Sequence, residues 1–560
     1  MATSQILSLY KENKTPQYSE IIEYYRQLDS ASRFTKLIEY GPTDSGEPLH
    51  LLVIDADMEF DVAKIRARKK SILMINNGIH PGEPDGIDAC LRLMTELVNS
   101  DSLREQLSNI VIIMIPVYNI DGAMYRNSTS RVNQDGPESF GFRGNAQNYD
   151  LNRDFIKCNS LNARSFTEIF REWDPDVFVD THVSNGADYQ YVMTLIPTQH
   201  NKLMAPLGDY LKNTMLPELY EKMAADSFPM CPYVNEIERI PDDGIAGFLD
   251  LGRYSTGYTA MFNTLGFMPE THMLKPYPQR VESTYALLKV YIDYVHRHSN
   301  EILSVRAEAK AITKNANTFS INWQLDTAQY EEFMFSGYTA KYKMSEVSGL
   351  ERLYYDRNAP FQKNIAFYDN YNTTISVKAP KAYIIPAAWK EVIERLKWNK
   401  IEMSQISEDT IMELEMYYID GFKNTDHPFE GHYLHSNIQV HTEIQKIQLH
   451  KGDYIVYLNQ DANYYIVQTL EPQAPDSFFA WGFFDAIMQQ KEWFSDYVFE
   501  DVAAELLKED PSLRKQLEDA IANDPSMKTD TNAQLAFVFQ HSKYRELSYQ
   551  RYPVGRLYNH

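Results

Sequence analysis

Apolar and polar positions along residues 1–300 predict strands that alternate with helices. Short, mostly apolar runs predict strands at 34–40, 49–54, 71–75, 110–117, 176–180 and 189–196. Helices are predicted at 84–98, 160–173, 202–224 and 278–298. In the first of them, apolar residues such as Ile87, Cys90 and Met94 recur at helical spacing. The alternation predicts an α/β fold, a mixed, mainly parallel sheet with helices on both faces. Ligands in such folds bind beyond the carboxyl ends of the strands.

The pattern changes after about residue 300. Short β-type runs occur at 319–323, 338–342, 353–355, 374–377 and 382–385, and a helix is predicted at 387–398. Further strands are predicted at 438–449 and 453–458, and residues 478–523 read as largely helical. We therefore expect an α/β unit at 1–301 and a mixed α/β accessory region of one or two domains at 302–560. No linker-like segment separates them, so we expect them to pack together.

Composition narrows the functional classes. The 560 residues carry 54 Lys and Arg against 77 Asp and Glu, a formal net charge of −23, which makes nucleic acid an unexpected partner. Cys90, Cys158 and Cys231 are too few for a disulfide framework, and no C-x-x-C pair indicates a cysteine zinc site. The longest apolar run, 110–117, is too short to span a bilayer. No signal peptide is visible, although this decides little about location.

A candidate metal site begins at Gly78-Ile79-His80-Pro81-Gly82-Glu83, between a predicted strand and a predicted helix. His80 and Glu83 can converge on one cation, and zinc accepts both imidazole and carboxylate ligands. His182 ends the apolar run 176–181 and would supply a third ligand, with Asp180 as a hydrogen-bonding partner of a ligand imidazole. Each residue taken alone is equally compatible with an ordinary loop or strand end.

Two further segments carry candidate chemistry. Residues 141–155 contain Arg143, Asn152 and Arg153, which suit a substrate carboxylate and a developing oxyanion, unless they form a solvated surface loop. Glu270 follows a short apolar strand, and a carboxylate near a metal site can accept a proton from water.

These four segments together resemble the zinc carboxypeptidases of peptidase family M14, over roughly residues 15–300. The resemblance implies one Zn²⁺ held by His80, Glu83 and His182, with Glu270 as general base. Arg143, ten residues before Arg153, would polarise the scissile carbonyl, as in the branch of the family with an R-x-N-x-x-x-x-D-L-N-R arrangement. Asn152 and Arg153 would grip the terminal carboxylate of a peptide substrate. The implied activity is hydrolysis of the C-terminal amide bond of peptides, cell-wall peptides among them.

Two features depart from the family pattern. The tyrosine that closes over substrate has two candidates, Tyr254 and Tyr258, both within 253–258. Glu47 stands in Gly-Glu-Pro where many members have Gly-Arg-Pro, so one basic contact is missing. Residues 302–560 resemble the C-terminal extension of large bacterial members of the family, to which no chemistry is attached. By resemblance we expect an exported bacterial enzyme, while the sequence leaves its oligomeric state open.

Two alternative functions remain at this point. An aspartoacylase-like deacylase shares the zinc ligands and an Asp-Leu-Asn-Arg segment, and would cleave small N-acyl amino acids. A binding protein would act through residues 302–560. In that region His427, His432 and His435 lie close to Glu430 in sequence, where a hydrogen-bonded loop is a simpler interpretation than a second metal site.

Overall fold

A computed structural model of the chain describes residues 3–558. The strands of the first half are β1 Thr35–Pro42, β2 Pro48–Ile54, β3 Ser71–Asn76, β4 Ile110–Ile115, β5 Val177–Asp180, β6 His182–Ser184, β7 Met193–Pro197, β8 Met230–Pro232, β9 Ile245–Ala246 and β10 Leu265–His272. All of these except β9 form one large mixed sheet in the order β1-β2-β4-β3-β5-β10-β7-β8, with β6 paired to β10.

Helices surround this sheet. Those of the first half are α1 Thr3–Ile6, α2 Tyr18–Ala31, α3 Val62–Ala67, α4 Asp85–Asn99, α5 Asp101–Glu105, α6 Ile120–Met124, α7 Leu161–Trp173, α8 Ala205–Tyr210, α9 Leu216–Ala225, α10 Ser255–Ala260 and α11 Tyr277–Asn315. Helix α7 begins where predicted because the Ser160 hydroxyl accepts a hydrogen bond from the Ala163 amide, 3.0 Å away. The predicted α/β class is confirmed, with a sheet that is parallel at its centre.

The centre of the sheet determines where the candidate site lies. Strands β3, β5 and β10 are parallel neighbours, and β6 continues beyond β5 alongside β10. The residues of β3 and β5 are buried throughout, including the polar Asn76 and Asp180 at their carboxyl ends. The register pairs Asn76 with Asp180 and His182 with Glu270. Residues separated by about a hundred positions therefore meet at one edge of the sheet.

The second half consists of antiparallel sheets and helices. Its strands are β11 Thr318–Leu325, β12 Glu331–Met344, β13 Glu351–Tyr368, β14 Tyr371–Lys378, β15 Ala382–Ile385, β16 Ser404–Gln405, β17 Thr410–Asn424, β18 His435–Leu449, β19 Tyr454–Tyr457 and β20 Gly555–Leu557. Its helices are α12 Lys390–Trp398, α13 Asn463–Leu470, α14 Asp496–Glu509, α15 Pro511–Asn523 and α16 Thr531–Gln540. No helix within residues 3–558 is long and apolar enough to cross a bilayer.

The two halves share a hydrophobic core. Strand β13 pairs in parallel with β9, and the ring of Phe262 stacks on that of Tyr465 with centroids 5.2 Å apart. Helix α11 runs through residue 301, the boundary that the sequence predicts between the two regions. The predicted helical stretch at 478–523 begins as an α-helix only at Asp496. Residues 478–484 form mostly buried turns, with Gly482 at φ +78°, and residues 485–495 are largely exposed.

Candidate active site

The first two candidate ligands lie in the loop between β3 and α4. The Glu83 amide donates to the His80 carbonyl at 2.8 Å, and this turn brings both side chains to the same side of the loop. Gly82 sits where the chain is crowded, since a Cβ there would lie 2.5 Å from the Arg131 side chain. Both His80 and Glu83 are 2% exposed. The loop is therefore a packed part of the structure and not a solvated turn.

His182 completes a three-residue group suited to a metal. Ligand atoms of His80, Glu83 and His182 all lie within 4.8 Å of one another, and no other such group occurs among residues 3–558. The Nδ1 atoms of His80 and His182 lie 3.4 and 3.3 Å from the same oxygen, Oε2 of Glu83. A tetrahedral zinc with bonds of about 2.0–2.1 Å separates its ligand atoms by about 3.3–3.4 Å. The two nitrogen-to-oxygen spacings therefore fit zinc.

Two aspartates orient the imidazoles. His80 Nε2 lies 2.9 Å from Asp150 Oδ1, and His182 Nε2 lies 3.1 Å from Asp180 Oδ2. Donation from Nε2 to a carboxylate leaves each Nδ1 as the lone-pair nitrogen that a metal needs. The structure thus places Asp180 as the sequence suggests. The role of Asp150 is not apparent from the sequence.

Arg131 is a second contact that sequence reasoning missed. Its Nη1 lies 2.8 Å from Glu83 Oε1, while the Val183 amide donates to Oε2 at 2.9 Å. Burial raises the pKa of Glu83, but the neighbouring donors, above all the Arg131 guanidinium, outweigh burial and hold this pKa well below its usual value. Glu83 is therefore an ionised ligand with both oxygens in contact with donors.

Glu270 lines the same cavity. Its strand partner in β6 is His182, and its carbonyl accepts a hydrogen bond from the Thr194 hydroxyl at 3.1 Å. Desolvation raises the pKa of Glu270 to about 7, with the charge on Glu83 contributing in the same direction. A carboxylate with such a pKa is suited to both accepting and returning a proton near neutral pH.

The basic residues of the 141–155 segment face the ligands. Arg143 donates through Nε to Asp150 Oδ2 at 2.9 Å, and its Nη1 lies 3.5 Å from Glu83 Oε1. Asn152 accepts a hydrogen bond from the Ser255 amide at 3.0 Å, and Arg153 donates to the Asn152 carbonyl at 2.8 Å. These contacts fix the backbone and leave donor groups for a ligand in the cavity.

The two tyrosines are placed differently. Tyr254 lines the cavity, and its ring lies 4.4 Å from the Arg153 guanidinium carbon. Tyr258 is 0% exposed, and its hydroxyl donates to Asn399 Oδ1 at 2.6 Å. The prediction that Tyr258 contacts substrate does not fit this placement, because α10 directs its ring into the core shared with the second half.

The cavity has a volume of about 160 Å³. The sequence singled out part of its lining, the three ligands and Glu270 together with Arg143, Asn152, Arg153 and Tyr254. It missed the rest, which comes from β6, β7, β10 and neighbouring loops: Val183, Asn185, Ile196, Tyr233, Phe248 and Met268. None of these belongs to a recognisable motif, so only the folded chain reveals them.

Two of the three clustered histidines of the second half, His432 and His435, have hydrogen-bond partners. His432 Nε2 lies 2.6 Å from Asn159 Nδ2, and His435 bonds to Asn424 and Asp485. His427 belongs to no metal-binding group among the residues described.

Comparisons with known proteins agree on one family. The family profile described as zinc carboxypeptidase matches residues 21–184. Carboxypeptidase 2 of Trichophyton tonsurans is 20% identical over 429 residues, which cover 73% of each chain. The corresponding protein of Trichophyton rubrum is 20% identical over 435 residues, 74% of each chain. Among solved structures, a metallo-carboxypeptidase from Burkholderia cenocepacia aligns with a TM-score of 0.36 at 16% identity, over 50% of this chain and 69% of that one.

Proposed function

Because this chain belongs to the M14 family of zinc carboxypeptidases, we propose that it hydrolyses the C-terminal amide bond of peptides that carry a free carboxylate. The observation that carries the proposal is the position of the Glu83 carboxylate. Its Oε2 lies 3.4 Å from Nδ1 of His80 and 3.3 Å from Nδ1 of His182, the separation expected between two ligand atoms of a tetrahedral zinc. Glu270 and two arginines line the same cavity.

The residues of the site would have separate roles in the reaction. Zinc bound by His80, Glu83 and His182 would act as a Lewis acid and lower the pKa of a bound water. Glu270 would accept the proton of the attacking water and return it to the leaving amine. Arg143, held through Nε by Asp150, would direct its Nη groups at the oxyanion that develops on the scissile carbonyl.

Restriction to chain ends would come from the carboxylate anchor, which we define as Asn152 and Arg153. A guanidinium grips a carboxylate bidentately, and the Asn152 amide adds a directed donor. Beyond the anchor, Ile196, Phe248 and Met268 give the cavity an apolar wall that suits an apolar terminal side chain.

A three-substrate comparison tests the proposal. Short peptides with a free C-terminus, the same peptides with a C-terminal amide, and N-acyl amino acids are incubated with zinc-loaded protein, and products are identified by mass. We expect loss of one C-terminal residue from the free peptides alone. Turnover confined to N-acyl amino acids would favour the deacylase. No turnover of any of them by zinc-loaded protein would contradict both enzymatic functions and favour a binding role.

A further inference from the structure

A loop of the second half touches the segment that carries the carboxylate anchor. This contact loop, residues 429–432, closes with reciprocal backbone hydrogen bonds between Phe429 and His432. Glu430 has φ +51° and Gly431 has φ +81°. Gly431 is needed here, because a Cβ would lie 2.9 Å from the ring of Tyr149. Glu430, which has a Cβ, is held in the less favourable left-handed region directly at this contact.

The tip of the contact loop bonds to the start of the anchor segment. Glu430 Oε2 accepts a hydrogen bond from the Asp150 amide at 2.8 Å. The Asp150 carboxylate in turn accepts from the Asn152 amide at 2.9 Å and so caps the short turn at Leu151–Arg153. One residue of the second half therefore fixes the backbone immediately before the anchor. The neighbouring contact between His432 and Asn159 ties the loop down at its other end.

A second carboxylate supports the opposite side of the anchor. Asp476 accepts from the Arg253 amide at 2.8 Å, and its other oxygen lies 2.8 Å from Arg253 Nε. The next residue, Tyr254, stacks against Arg153. Acidic residues of the second half therefore accept hydrogen bonds from backbone amides on both sides of the anchor. The second half contributes no residue to the cavity lining itself.

We propose that Glu430 is a positioning residue for the carboxylate anchor, so that the accessory region sets the preference for free chain ends. The inference rests on the proposed function, since it assigns Glu430 to the binding of the substrate carboxylate. The bond acts through the Asp150 amide and does not involve the groups that touch the ligand. Its loss would loosen the Leu151–Arg153 turn and weaken carboxylate binding, while His182 stays where Asp180 holds it.

The test compares Glu430→Ala with Glu430→Gln in the full chain. Gln keeps an oxygen that can accept from the Asp150 amide, whereas Ala does not. Asp485→Asn serves as the matched control, because Asp485 accepts from His435 within the second half. Hydrogen exchange resolved to the Asp150 amide measures the bond directly, without reference to activity. Steady-state kinetics on free and amidated peptides measure the preference for a carboxylate.

In Glu430→Ala we expect the Asp150 amide to exchange at least tenfold faster. We also expect kcat/KM on free-carboxylate peptides to fall about tenfold, mainly through KM, and the preference over amidated peptides to narrow by the same factor. Gln and the control should stay within about twofold of the parent. Unchanged exchange and kinetics in Glu430→Ala, or an equal loss in the control, would overturn the inference. If the parent cleaves none of the peptides, the proposed function fails and the exchange result alone decides the role of Glu430.

Discussion

Asp150 joins a predicted zinc ligand to the predicted oxyanion donor, so Asp150→Asn perturbs two functions at once. Its carboxylate accepts from His80 Nε2 and from Arg143 Nε, each at 2.9 Å. An amide of the same shape offers only one oxygen, so one of the two donors must face an NH₂ group. The substitution therefore changes no volume but leaves one charged or metal-binding side chain without its partner.

The size of the effect follows from what each partner does. Loss of a carboxylate that orients a zinc-binding histidine costs about 10–100-fold in metal affinity. Loss of an oxyanion donor costs about 10²–10³ in kcat, which is an upper limit here because Arg143 remains in the chain. We expect zinc to bind Asp150→Asn about 10–100-fold more weakly, and kcat at saturating zinc to fall about 10–100-fold. Competition with a chelating dye measures the first quantity, and peptide turnover the second.

Asp180→Asn is the matched control, since Asp180 bonds to His182, whereas Arg143 bonds to Asp150. It should weaken zinc binding without a comparable loss of kcat at saturating zinc. Equal losses of kcat in both variants would refute the link between Asp150 and Arg143. Parental zinc affinity and kcat in Asp150→Asn would refute the whole reasoning.

Three further changes have defined outcomes. Glu270→Gln should lower kcat about 10²–10⁴-fold while isothermal titration shows zinc affinity within about threefold of the parent. Tyr254→Ala should raise KM for free-carboxylate peptides several-fold, whereas Tyr258→Phe should leave KM unchanged and lower the melting temperature, because Tyr258 lies in the core. Asp88→Asn should remove a pH dependence of stability: burial raises the pKa of Asp88 from 3.8 to about 7, so its ionisation favours the unfolded chain as pH rises from 4 to 7. The free energy of unfolding of the variant relative to the parent should rise by about 3 kcal/mol over that interval, measured with urea.

Each of these outcomes has a result that would contradict it. A Glu270→Gln protein that still turns over peptide at the parental rate would remove the proposed general base. A KM effect from Tyr258→Phe that equals the effect of Tyr254→Ala would contradict the placement of the two rings. A constant difference in stability between Asp88→Asn and the parent from pH 4 to pH 7 would mean that Asp88 ionises normally in the folded chain.

The sequence was most informative where chemistry is local. His80 and Glu83 lie in one short loop after an apolar strand, and His182 follows another apolar strand. The same short segment therefore predicts both the strand and the ligand at its end. The contact between Arg131 and Glu83 is not predictable from the sequence, because the two residues are nearly fifty positions apart and no spacing rule connects them. In the sequence, Ile196, Phe248 and Met268 do not differ from other apolar residues, and only the folded chain brings them to one cavity.

The same contrast holds for the fold. The fully buried strands β3, apolar between Ser71 and Asn76, and β4, apolar throughout, are predicted to within two residues of their bounds. The long hairpin of β12 and β13 is predicted only in part, because nearly all of its side chains are exposed or half-buried and carry no apolar pattern. Residues 478–495 have the apolar content of a helix, but the chain turns instead, with Gly482 in a left-handed conformation.

A zinc titration of metal-free protein during turnover tests most directly whether one zinc held by His80, Glu83 and His182 drives peptide hydrolysis. We expect release of the C-terminal residue from a free-carboxylate peptide to rise linearly and saturate at one zinc per chain, and His182→Ala to give no such rise at micromolar zinc. Full activity in the metal-free protein, or saturation at one equivalent in His182→Ala as in the parent, would contradict it.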